Sequence, residues 1–204
     1  VLILRNPIDR AYSNWKMVYA TPKSTDSFLK NVKREIILHQ TLGLTSAPTF
    51  DYYVKNQSDT FGAIPRSLRH RSCRDLISAT ERTVNQQRKL MCGYLGRGMY
   101  AQQIFNWLEH FELNKSLLIV NYDDFSANQT AVVQRITAFV GASAHEYDDS
   151  VLNTTFEPVQ GLQKRSTTRG MGELMRRYLQ TFYQPYNDEL ADLLGEEWRN
   201  VWRE

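Results

Sequence analysis

Leu4-Arg5-Asn6-Pro7-Ile8-Asp9-Arg10-Ala11-Tyr12-Ser13 is the stretch on which the fold turns. The run before it, Val1-Leu2-Ile3-Leu4, is wholly apolar and reads as a buried strand. Pro7 lacks an amide donor and has its φ preset, so it suits the first turn of a helix. A strand therefore ends at Arg5, and Asn6-Pro7 turns the chain into a helix that carries Ser13. Ligands of open α/β sheets bind at the carboxyl ends of the strands. Arg5 projects into that crevice, and Ser13, two turns into the helix, lies on a face that can look back to it. A planar guanidinium fork and a neutral hydroxyl suit a terminal phosphate. The plainer alternative is a helix start whose Arg5 pairs locally with Asp9.

Working outward, the first helix is expected over 7–19, with Ile8, Ala11, Tyr12 and Trp15 on one face, and Thr21-Pro22 ends it. A second spans 27–42, with Phe28, Val32 and Ile36 at helical spacing. Residues 43–65 read as a long loop, 75–90 as a helix, and 98–111 as an amphipathic helix carrying Tyr100, Ile104, Trp107, Leu108 and Phe111. Trp107 and Phe111 are expected in the core. Residues 116–121 form a second buried strand, 130–140 a helix closed by Gly141, and 172–194 a long helix interrupted near Pro185. Strands alternating with helices imply an α/β fold with a parallel sheet flanked by helices, in one domain over residues 1–204.

The words Leu-Arg-Asn-Pro-x-x-Arg-Ala-x-Ser over 4–13 resemble the 3'-phosphate-binding motif of PAPS-dependent carbohydrate sulfotransferases, heparan sulfate sulfotransferases in particular. Arg97-Gly98-Met99-Tyr100-Ala101 leading into Trp107-Leu108 and Phe111, then Leu117 to Phe125, is similar to a helix and strand of the same family. A third block, Phe182-Tyr183-Gln184-Pro185-Tyr186-Asn187, places the family's basic Lys-Gly-Arg loop at Lys164, Arg165, Ser166, Thr167 and Thr168, with Arg165 for the family's Gly and Ser166 for its Arg. The resemblance implies a three-layer P-loop-type fold and PAPS as co-substrate, held by Arg5, Ser13 and residues 164–168. Arg97 and Tyr100 become candidates to touch the acceptor. The family's first strand, its 5'-phosphosulfate loop and its catalytic base would all precede Val1. The chain thus reads as the C-terminal part of the domain, inactive by itself. The family's small disulfide hairpin after Leu152-Asn153-Thr154-Thr155 has no counterpart, since no cysteine lies near Val159.

The chain has 204 residues, enough for one sizeable core. A formal net charge of +3 is too mild to argue for a nucleic-acid partner. Its cations are uneven, with one cluster at Arg66, Arg69, His70, Arg71 and Arg74 and another at Lys164, Arg165 and Arg169. The first is either a solvated face or a seat for an anionic glycan, and the second, if not the phosphate-binding loop, is a solvated linker. Cys73 and Cys92 show no metal spacing and are open between a disulfide and two thiols. Sequons at Asn56, Asn114, Asn128 and Asn153 point together to the secretory pathway. With the resemblance they imply a Golgi-lumenal glycoprotein whose membrane anchor would lie in the missing part. His39, His70, His110 and His145 are scattered and suggest no base or metal site. The expected reaction is sulfuryl transfer to a hydroxyl or amino group of a glycan; the alternative readings are a nucleotide kinase-like phosphotransferase and a non-catalytic anionic-glycan-binding protein.

Overall fold

The computed structural model describes residues 1–18, 25–41, 45–56, 93–143, 145–146 and 170–202. The expected helix over 75–90, both cysteines, the Arg66–Arg74 cluster and residues 164–168 lie outside the described residues. The chain divides into two compact units, one of Val1–Asn6 and Trp107–Lys164, the other of Pro7–Asn106 and Arg165–Glu204.

In the first unit, β1 (Leu2–Leu4) pairs in parallel with β2 (Ile119–Asn121). The register sets Leu2 opposite Ile119, Ile3 opposite Val120 and Leu4 opposite Asn121. All three residues of β2 are buried, as an apolar strand requires, but in β1 only Leu4 is, and Ile3 is 47% exposed. Successive side chains of a strand face opposite sides, so a wholly apolar run need not be covered on both. Asn121 then caps a short helix over Tyr122–Ala127, its side chain accepting from the Asp123 amide at 3.2 Å. Asn128 caps the helix Gln129–Phe139 in the same way, accepting from Ala131 at 3.0 Å. Such caps satisfy amides that a helix start leaves unpaired. Leu118, Val120 and Val132 form the core of this unit, with Phe125, Ile136 and Phe139 packed on it. Gly141, at φ +70°, ends the second helix as expected.

The second unit is helical: α1 (Pro7–Val18), α2 (Thr25–Thr41), α3 (Phe50–Asn56), a 3-10 turn over Gly96–Gly98, the start of α4 (Tyr100–Leu108), and a long C-terminal helix. With the two helices after β2 numbered α5 and α6, the C-terminal one is α7 (Glu173–Leu194). Ile8, Ala11 and Trp15 of α1 meet Phe28, Val32 and Ile36 of α2 in one apolar core. Tyr12, Trp15 and Phe28 pack ring on ring at 5.1–5.5 Å. α7 contributes Tyr178, Leu179, Phe182, Tyr183 and Tyr186 to the same core. Helical spacing predicted the faces of α1 and α2, because 3.6-residue periodicity survives in any helix long enough to show it.

Three expectations need correction. The loop over 43–65 contains α3, whose seven residues are too few to show a period. α3 forms by docking, with Phe50 and Tyr53 each 5.2 Å from the Tyr178 ring and the Tyr178 hydroxyl donating to the Pro48 carbonyl at 2.7 Å. α7 runs unbroken through Pro185. Proline there removes one backbone bond, but buried Phe182 and Tyr183 before it and Tyr186 and Leu190 after it hold both halves to the core. Finally, α4 stops at Leu108, and the amides of His110 and Phe111 both turn back to the Trp107 carbonyl. The apolar period runs on past the helix, so Trp107 and Phe111 are not core: they are 46% and 39% exposed.

Gly98 marks a close approach inside the core of the helical unit. A Cβ there would lie 2.8 Å from the Pro7 Cβ and 2.9 Å from the Tyr183 hydroxyl. Overpacking of a rigid core costs about 1–3 kcal/mol. Gly98→Ala should therefore lower stability by that amount in denaturant titration. Gly170→Ala, where a Cβ would meet nothing within 4 Å, serves as the neutral control.

Candidate functional site

The parallel register brings the carboxyl ends of β1 and β2 side by side. Arg5 leaves β1 and Tyr122 leaves β2 at the same level. The Arg5 guanidinium lies over the Tyr122 ring, 5.0 Å from its centroid. The aromatic face attracts the cation electrostatically and restricts its swing. Arg5 is half-buried and Tyr122 is 37% exposed, each one residue beyond the end of its strand. Asp123 and Asp124 occupy the first turn of α5, next to Tyr122. Tyr122 lies within the 117–125 block, and nothing local in the sequence gives it a role. Only the pairing register reveals it, because Arg5 and Tyr122 are far apart in sequence.

Ser13 lies half-buried on α1 in the helical unit, whereas Arg5 belongs to the unit of the sheet. Asp9, the local partner considered for Arg5, is instead bonded to Arg176 at 2.6 Å, which ties the start of α1 to the start of α7. Lys164, Arg165, Ser166, Thr167 and Thr168 lie outside the described residues.

Arg97 is exposed at the centre of the 3-10 turn. Tyr100 is not: it is 8% exposed and packs on Trp202, ring centroids 5.8 Å apart. Its position at a helix start suggested exposure, but the C-terminal segment covers it.

The turn that carries Arg97 is anchored from three helices. Glu35 of α2, 2% exposed, accepts from the Leu95 and Gly96 amides at 2.8 and 2.9 Å. Arg10 of α1 donates to the Tyr94 carbonyl. The Tyr183 hydroxyl of α7 donates to the Leu95 carbonyl at 2.9 Å. Burial pushes the Glu35 carboxyl up to about 8, against the opposing pull of the Gly96, Leu95 and Tyr94 amides and of Arg10. Burial likewise pushes the Tyr183 phenol well above its usual range. Sequence reasoning missed Glu35, since a lone acidic residue on a helix normally faces water. His39 is buried on the same helix, while His110 and His145 are exposed. Among the described residues no group of His, Cys, Asp or Glu could hold a metal ion, and no helix is long and apolar enough to cross a membrane.

The profile of the sulfotransferase domain matches residues 1–182, from β1 into the first half of α7. The chain belongs to the sulfotransferase domain family. It is similar to carbohydrate sulfotransferase 15 of Homo sapiens, 22% identical over 198 residues, 97% of this chain and 30% of that protein. Carbohydrate sulfotransferase 15 of Mus musculus and of Rattus norvegicus are each 23% identical over 200 residues, with the same coverage. The chain thus spans about a third of the length of these relatives. No solved structure matches it significantly. A helix-rich sulfotransferase domain with a small parallel sheet is consistent with the α/β, P-loop-type class expected.

Glu35 supplies a test by pH. Its folded pKa lies above the ordinary carboxyl value of 4.5, so between those values the folded state keeps a proton that the unfolded state has released. Stability should therefore be highest at low pH and fall as pH rises from about 5 to about 8, by at most ~1.4 kcal/mol per pH unit. Urea unfolding across that range should show the decline in the native sequence and a flatter profile in Glu35→Gln. Parallel profiles would remove Glu35 as its source.

Proposed function

We propose that this sulfotransferase domain transfers a sulfuryl group from PAPS to a hydroxyl or amino group of a glycan, and that Arg5 holds the cofactor's 3'-phosphate. The observation that carries this reading is Arg5 at the carboxyl end of β1, steadied by Tyr122, in a chain whose family match spans residues 1–182. Ser13 adds a hydroxyl donor, and residues 164–168 supply a cationic and hydroxyl-rich segment suited to phosphate. A three-layer arrangement of sheet and helices belongs to the same reading, as do a glycan acceptor of anionic type and a Golgi-lumenal setting.

In the proposed reaction the acceptor oxygen or nitrogen attacks sulfur as the bond from sulfur to the bridging oxygen of the 5'-phosphate breaks. PAP departs, and the acceptor proton passes to a base. No residue of this chain is assigned that role. The contribution of Arg5 and Ser13 is to bind and orient, which suffices for much of the rate in group transfers of this kind. Arg97 is proposed to meet an anionic group of the acceptor, and its anchored turn lowers the entropy lost in doing so. Tyr100 shapes the base of that turn from within the core.

Calorimetric titration with PAP tests the cofactor site in the intact protein. A hydrogen bond to a charged group contributes about 1.5–3 kcal/mol. Arg5→Ala should therefore weaken PAP about 10-fold or more, with a smaller loss in Ser13→Ala. Affinity unchanged in both variants would overturn the assignment. Steady-state kinetics of Arg97→Ala should raise the acceptor KM and leave PAP affinity intact. An unchanged acceptor KM would exclude Arg97 from the acceptor site.

A further inference from the structure

The loop that follows α4 carries Phe111-Glu112-Leu113-Asn114-Lys115-Ser116, a sequon three residues after an aromatic ring. The loop is tightly made. The Glu112 carbonyl accepts from the amides of Lys115, Ser116 and Leu117 at 3.2, 2.9 and 3.0 Å, and the Asn114 amide donates to Leu117 at 2.8 Å. The Ser116 hydroxyl accepts from the Glu112 amide at 2.8 Å. Asn114 sits at the apex with φ +60°, a left-handed conformation that asparagine tolerates better than most residues. Asn114, Lys115 and Ser116 are all exposed.

The loop opens on the exposed aromatic pair noted above. Trp107 and Phe111 pack on one another at 5.4 Å with a tilt of 37°, leaving ring surface in water. An exposed apolar cluster beside a modification motif calls for an apolar partner. A pyranose has one: its axial C–H groups form an apolar face that lies flat on an aromatic ring. The loop reverses the chain between Phe111 and Leu117, which keeps a sugar attached at Asn114 within one short turn of Phe111. The other described sequons differ. The Asn56 side chain donates to the Tyr52 carbonyl at 2.8 Å, and that of Asn128 caps α6. Both are committed to a helix end, and the ring three residues before each, Tyr53 and Phe125, is packed on a core and not left in water as Phe111 is.

We infer that Asn114 is an N-glycosylation site and that its first N-acetylglucosamine lies against Phe111 and Trp107. In the modification, the Asn114 Nδ2 bonds to the anomeric carbon of a lipid-pyrophosphate-linked oligosaccharide. The bond from that carbon to the pyrophosphate oxygen breaks, the lipid pyrophosphate leaves, and the amide proton passes to the oligosaccharide transferase. The sugar then covers apolar surface that the folded chain leaves wet. The inference does not depend on sulfuryl transfer. It requires only passage through a compartment that glycosylates proteins.

The experiment is to secrete the intact protein from a glycosylating eukaryotic cell and map occupied sequons by glycopeptide mass spectrometry. Asn114 should be occupied, and Asn114→Gln should lose one glycan's mobility shift on treatment with peptide N-glycosidase F. An unmodified Asn114 in the secreted protein overturns the site. Stacking is read separately, as the drop in Tm on enzymatic deglycosylation. That drop should be clear in the native sequence and should vanish in Phe111→Leu, which keeps apolar volume without a ring, and return in Phe111→Tyr. An equal drop in all three overturns the stacking. Should Phe111→Leu fail to fold, Trp107→Leu replaces it: a drop reduced there supports stacking, and one equal to the native drop overturns it.

Discussion

A buried carboxyl joins three helices to one turn. Glu35 accepts the Leu95 and Gly96 amides, and around it Arg10 and Tyr183 bind the carbonyls of Tyr94 and Leu95. An amide or carbonyl left unmet in such a core would be expensive, so each donor and acceptor constrains the others. Gly98 completes the arrangement, because only a residue without Cβ lets the turn approach Pro7 and Tyr183 so closely. The result is an irregular segment held as firmly as a helix, with Arg97 as its exposed product.

The unit of the sheet solves a different problem with fewer parts. Two short parallel strands end at one level, and the residues just beyond them, Arg5 and Tyr122, meet as cation and ring. Asparagine caps at Asn121 and Asn128 turn the chain directly into α5 and α6, so little backbone intervenes between strand and helix. Short, capped connections keep the crevice edge ordered, which is what the anion site proposed for Arg5 requires. Identity of 22–23% to carbohydrate sulfotransferase 15 is low enough that most surface positions differ. The family membership rests on the profile match across residues 1–182.

Much of this was legible before any coordinates. The motif at 4–13 is local: strand, turn and helix start follow from an apolar run, a proline and the spacing of Ile8, Ala11 and Trp15. α1, α2, α6 and α7 were readable because each is long enough for its period to stand out. The same rule failed at the last turn of α4, where Trp107 is left in water and the period runs on to Phe111 beyond the helix, and where a helix was too short to show one, at α3. Pro185 reads as a break only if α7 is considered apart from the core that holds both its halves.

The sequence by itself determined the local conformations and the family, because backbone propensity, capping and motif spacing act between near neighbours. Tertiary structure decided which of those side chains are seen by a ligand. Tyr100 is covered by Trp202, Glu35 is buried against residues sixty positions away, and Asp9 belongs to Arg176. Those outcomes depend on partners distant in the chain, and no local pattern encodes the identity of a distant partner.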